Sequence, residues 1–152
     1  MVRSCRLVWL WCLLSATVGA QCATIGAFSP RGNVPTNLQP AGAGTQISGI
    51  AASRHNPGVL WVHDDASTTS QLIALRSDAS LARQYLLPVA TNRDWEDIAL
   101  GPGPIAGRDY LYVADIGNNA LAYTTFSIWR VPEPDVPPGS GPPVTLPAPE
   151  SC

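Results

Sequence analysis

Lysine is absent from this 152-residue chain, and its nine basic residues are arginines with no two adjacent. Without clustered cations there is no run to neutralise a phosphate backbone, which excludes nucleic acid as a partner. The same absence removes the usual means of holding an anionic membrane surface. Histidine occurs twice, at His55 and His63, and no serine sits in a nucleophile elbow. Gly101, Gly103 and Gly107 do not follow the phosphate-loop pattern and open no helix. No Asn-x-Ser/Thr acceptor is present, so N-glycosylation is not expected. Helical spacing is offered only by 15–19 and 77–84, and neither run persists.

What is present begins with an address. Arg3 and Arg6 precede a short apolar core, Leu7 to Leu14, and Val18-Gly19-Ala20 is a small-residue cleavage site. This reads as a signal peptide over 1–20, with a mature chain starting at Gln21 and a secreted, extracellular or periplasmic location. The apolar run is too short to span a bilayer, and Gln21 before Cys22 argues against a lipid anchor. Seven arginines against eleven acidic residues then leave a formal charge of about −4 (7 − 11). Cys22 and Cys152 alone survive cleavage. In an oxidising compartment a bond between them would close nearly the whole mature chain, and the alternative is two thiols at opposite frayed ends.

After an irregular, Gly- and Pro-rich lead-in over 21–46, short apolar runs alternate with turn residues. The spacing predicts strands at Ser48–Ala52, Val59–His63, Gln71–Arg76, Ala82–Leu87, Trp95–Leu100, Tyr110–Asp115 and Thr125–Val131. His55-Asn56-Pro57-Gly58 and Gly101-Pro102-Gly103-Pro104 supply the turns. Ser48-Gly49-Ile50-Ala51 followed by Leu60-Trp61-Val62-His63-Asp64 is echoed by Glu96-Asp97-Ile98-Ala99 followed by Leu111-Tyr112-Val113-Ala114-Asp115. The offset of roughly fifty residues lies in the range of propeller blades. The expectation is an all-β chain holding a partial β-propeller over 47–131, about two blades of four-stranded antiparallel sheet. A ring needs about four to eight blades, so the reading treats the chain as a fragment of a longer propeller. Residues 132–152 are crowded with proline and read as an extended, solvated tail or linker.

The phrase Asp94-Trp95-Glu96-Asp97-Ile98-Ala99, with Val113-Ala114-Asp115-Ile116-Gly117-Asn118-Asn119, resembles a family of secreted, mostly bacterial β-propeller proteins of undefined function. Leu60 to Asp65 and Ile128 to Pro134 extend the resemblance to about 47–134. It implies a six-bladed, TolB- or NHL-like propeller about twice this length. Two departures stand out: Ala66-Ser67 where the family has Ser-Gly, and Asn118 where it has a carboxylate.

Comparing the two copies separates architecture from function. Asp64 and Asp115 fall at equivalent places, and both read as turn formers. His63 aligns with Ala114, so the repeat does not require it. Asp64 and Asp65 beside it make His63 the candidate general base, although no further catalytic set accompanies it. Glu96 and Asp97 replace Ser48 and Gly49, and with nearby Asp94, Asn118 and Asn119 they offer the oxygen ligands calcium prefers. Regular strand alternation sends Glu96 and Asp97 to opposite faces, so shared ligation demands a distortion where the strand begins. The functional expectation is a secreted binding module with a calcium site in the propeller channel, taking a protein, carbohydrate or small-molecule ligand. The alternative is a metal-dependent hydrolase of the lactonase, esterase or phytase kind, with its other ligands in further blades.

Overall fold

In the computed structural model the described residues are 46–65 and 69–151, and all fall within one compact unit. The signal peptide, nearly all of the lead-in, Ala66-Ser67 and both Cys22 and Cys152 lie outside them. The described chain is all-β, with nine strands and no helix among the described residues. The strands are β1 (Ile47–Ala52), β2 (Val59–Asp64), β3 (Gln71–Arg76), β4 (Leu81–Leu86), β5 (Trp95–Pro102), β6 (Asp109–Asp115), β7 (Ser127–Pro132), β8 (Val144–Thr145) and β9 (Glu150–Ser151). They form two sheets, ordered β1-β2-β3-β4-β8 and β5-β6-β7-β9. Successive strands pair as antiparallel hairpins within each sheet. The leading strands, β1 and β5, pack against each other.

The core lies between the sheets. Alternation in β2 and β3 sends Val59, Trp61, Leu72 and Ala74 to one face, where they meet Trp95, Ile98, Leu111, Val113 and Val131 of the second sheet. The indole of Trp61 meets Tyr85 edge-on at 5.4 Å between ring centres. Val62, Ile73 and Leu75 form a smaller cluster on the opposite face of the first sheet. This explains why β3 is apolar on both faces rather than alternating.

Both leading strands carry a bulge, and the bulges decide where polar residues go. In β1 the register slips between Ser48 and Ile50, leaving Gly49 extra; in β5 it slips between Trp95 and Asp97, leaving Glu96 extra. Trp95 and Ile98 are three positions apart, yet both are buried in the core. A regular strand would send them to opposite faces, and one inserted residue restores the match.

The structure differs from the sequence reading in the tail. Residues 132–151, part of the tail expected to run extended and solvated, strap the two sheets together. Val144–Thr145 pairs in parallel with Tyr85 and Leu86 on the edge of the first sheet, and Glu150–Ser151 pairs with Trp129 and Arg130 on the edge of the second. Leu146 donates its N–H to the Leu86 carbonyl at 2.9 Å and enters the core. The physical reason is local: β8 lies between Pro143 and Pro147 and β9 follows Pro149, both at sheet edges, where a missing N–H nearby costs nothing. Closer in, Val136 N–H donates to Asn56 Oδ1 at 2.8 Å, and Tyr85 Oη donates to the Asp135 carbonyl at 2.6 Å.

Candidate metal centre

At the end of the sheets that carries the β2–β3 and β6–β7 connections, three carboxylates converge. Oxygens of Asp65, Asp94 and Glu96 all lie within 4.8 Å of one another. Each is placed by backbone rather than by chance contact of side chains. Trp95 N–H donates to the Asp65 carbonyl at 2.7 Å, while Asp65 N–H donates to Gln46 at 2.8 Å. The first bond ties the end of β2 to the start of β5, and the second ties it to the residue before β1. Asp94 is held from the second sheet: its N–H donates to Asp115 Oδ1 at 3.1 Å, and its carbonyl accepts from Gly117 N–H at 2.9 Å. Gly117 is glycine because the Asp94 carboxylate occupies the space a Cβ would fill. The β5 bulge then sets Glu96 beside them.

Neighbouring like charges oppose the ionisation of Asp65. The Asp65 carboxyl is held above its usual range, first by burial, then by hydrogen bonding with Asp94 and by the charges of Asp94 and Glu96. Asp65 Oδ1 is shielded from solvent and bonds nothing. Asn119 reaches the edge of the group, its Nδ2 lying 3.5 Å from Asp94 Oδ2. An all-oxygen donor set of this kind suits a hard divalent cation.

Of the sequence-derived ligands, Asp94 and Glu96 stand in this group and Asn119 borders it. Asp97 is exposed, and its Oδ1 accepts from the neighbouring Ile98 N–H at 2.8 Å. Asn118 braces the β6–β7 loop, accepting from Tyr123 N–H at 3.0 Å and donating to the Tyr123 carbonyl at 2.8 Å. Asp65 entered the sequence reading only as a neighbour of His63. Its role as a third carboxylate depends on contact across about thirty residues, and the Asp64-Asp65 doublet closing a strand was the one local signal.

His63 is fully buried and packs edge-on to Trp95, with 5.6 Å between ring centres. Its Nδ1 donates to the Asp64 carbonyl at 3.0 Å, since a carbonyl only accepts, which leaves Nε2 bare. Nε2 lies toward the Asp97 backbone without closing a hydrogen bond of normal geometry. Burial lowers its pKa below the ordinary 6.5, outweighing the pull of the Asp64 and Asp97 groups. This imidazole is a neutral packing element with no access to a substrate. Asp115, read as a turn former, holds a distant loop instead: buried, it pairs with Arg93 Nε at 3.0 Å and accepts from Asp94 N–H. The Asp64 carbonyl likewise accepts from Asn92 Nδ2 at 3.1 Å.

Fold and site together define an all-β protein of two packed sheets with an acidic group at one end. No helix among the described residues is long and apolar enough to cross a membrane. Comparison with known proteins adds no relative: no family model matches the chain, and no curated protein or solved structure is significantly similar.

Proposed function

We propose that the chain is a secreted binding module whose two sheets are neighbouring propeller blades, with a hard divalent cation held where they meet. Packing of the leading strands, hairpin order within each sheet and the near-equivalent bulges support the blade reading. The signal-like leader supports secretion. The convergence of Asp65, Asp94 and Glu96 carries the cation site. Calcium is the preferred ion because the donors are all hard carboxylate oxygens, the class it takes. The ion would offset the burial and the neighbouring like charges that raise Asp65 and would bond its bare Oδ1.

The test is a calcium titration by calorimetry on the full chain, repeated on Asp94→Asn and Glu96→Gln. Saturable binding lost in both variants is the expected result. No binding to the parent chain, or binding unchanged in both variants, refutes the site. Turnover of an ester, lactone or phytate that depends on the ion would refute the binding-module reading in favour of a hydrolase.

A further inference from the structure

The opposite end of the sheets, where the β1–β2 and β5–β6 turns lie, holds a cleft of about 430 Å³ lined by Arg54, His55, Arg108, Asp109, Glu133 and Asp135. That volume is within the range of small-molecule sites. Most of its charges are already matched. Arg54 pairs with Asp109 at 2.8 Å, and His55 Nε2 lies 2.6 Å from Asp135 Oδ1. Two groups are not.

Glu133 is only 4% exposed. Its Oε1 accepts from Ser53 Oγ at 2.5 Å and from Trp61 Nε1 at 2.8 Å, whereas Oε2 bonds nothing and is shielded from water. A carboxylate oxygen left bare in that setting forfeits its hydration without replacement. On the rim, the exposed Arg108 makes no side-chain hydrogen bond or ion pair among the described residues. The two are held in fixed relation: Glu133 N–H donates to the Asp109 carbonyl at 2.9 Å, and Arg108 is the preceding residue, its own N–H held by the Ile105 carbonyl at 3.2 Å.

We infer that this cleft binds a small zwitterion of the α-amino-acid class, its ammonium turned inward to Glu133 and its carboxylate held by Arg108. A buried, unbonded acceptor in the cleft wall and an exposed cation on its rim are complementary to a ligand with a donor at one end and an anion at the other, the donor entering the wall to reach Oε2. The lining sets two arginines against three carboxylates, one of them hydrogen-bonded to His55. A simple anion is therefore disfavoured, and a simple cation leaves Arg108 unused. A neutral polyol supplies a donor to Oε2, but an ammonium makes the stronger, charge-assisted bond where water is excluded. The guanidinium fork suits a carboxylate in two-point contact.

The inference stands apart from the cation site, at the other end of the sheets, and its test uses different ligands. Calorimetry on the full chain compares L-alanine with ethylamine and acetate, each of which presents one half of the zwitterion. Alanine is expected to bind with a dissociation constant on the order of 1 mM, and each half-ligand at least about tenfold more weakly. Arg108→Ala, on an exposed turn with no partner to lose, should weaken alanine by about tenfold or more. Glu133→Gln should do the same while its amide oxygen still accepts from Trp61. Should Glu133→Gln fail to fold, Arg108→Glu replaces it and should abolish binding. The inference is overturned by no alanine binding up to about 50 mM, by undiminished affinity in Arg108→Ala, or by acetate or ethylamine binding as tightly as alanine.

Discussion

Replacing Gly49 by alanine probes the junction that brings the two sheets together. Gly49 is the bulge residue of β1 with φ of +60°, and an added Cβ would lie 2.7 Å from His63 Nε2, 2.8 Å from Ile98 N and 3.0 Å from Asp97 Cα. Two costs follow. The left-handed backbone costs a side chain about 1–2 kcal/mol, and forcing an atom into close-packed surroundings adds about 1–3 kcal/mol. Little relief is available, because His63 is buried against Trp95 and Ile98 N is backbone of the facing strand. The sum is about 2–5 kcal/mol of destabilisation.

Gly58 separates the two costs. Its φ is +78° but a Cβ there would meet nothing within 4 Å, so Gly58→Ala should cost only the backbone portion, about 1–2 kcal/mol. Urea denaturation of the three proteins gives the comparison, read as midpoint shifts at constant slope. Gly49→Ala should lose about 1–3 kcal/mol more than Gly58→Ala. Equal losses would refute the close packing of β1 on β5, and with it the placement of Asp65 beside Glu96.

Further outcomes test the remaining contacts. Arg93→Ala should cost about 2 kcal/mol by denaturant titration, between the values for exposed and buried pairs, since Asp115 is buried but Arg93 is about one-quarter exposed (26%). Leu146→Ala should cost about 2–3 kcal/mol if the tail is docked, and nothing measurable if it runs free in solvent. His63, with its folded pKa below 6.5, binds no proton in a range where the unfolded chain does. Its contribution is therefore complete above about pH 6.5 and declines as pH falls from there toward the lower folded value. His63→Leu should lack that acid limb in urea midpoints measured from pH 7 to 5. Asp65 works with the opposite sign: its raised pKa makes the ionised form a burden at neutral pH, so Asp65→Asn should raise the midpoint in chelator and abolish any gain from calcium.

The strands were legible in the sequence because their signal is local. Alternation, β-branched and aromatic content and turn residues placed all seven main strands within two residues of the observed ends. The internal echo of the two copies anticipated two similar sheets, but the partners of Asp115, Arg93 and Asp94, lie in the β4–β5 connection rather than in the turn it was expected to form. Less was legible at the acidic group. Glu96 was visible as a departure from its counterpart in the first copy, but the bulge that turns it beside Asp94 is a property of pairing with β6. Asp97, an equal candidate by composition, is left exposed by the same slip in register.

The amino-acid sequence by itself determined that this protein is all-β, that its strands come in two similar sets, and that acidic oxygens gather near the second. Those properties depend on side-chain type and spacing along a few residues. Only the tertiary structure decided which carboxylates meet, that His63 is sealed in the core, and that Glu133 keeps an unbonded oxygen beside a cleft. It also turned a proline-rich tail into a strap across both sheets. Each of these rests on contacts between residues twenty to eighty positions apart, where a one-residue bulge or a gap between prolines outweighs composition.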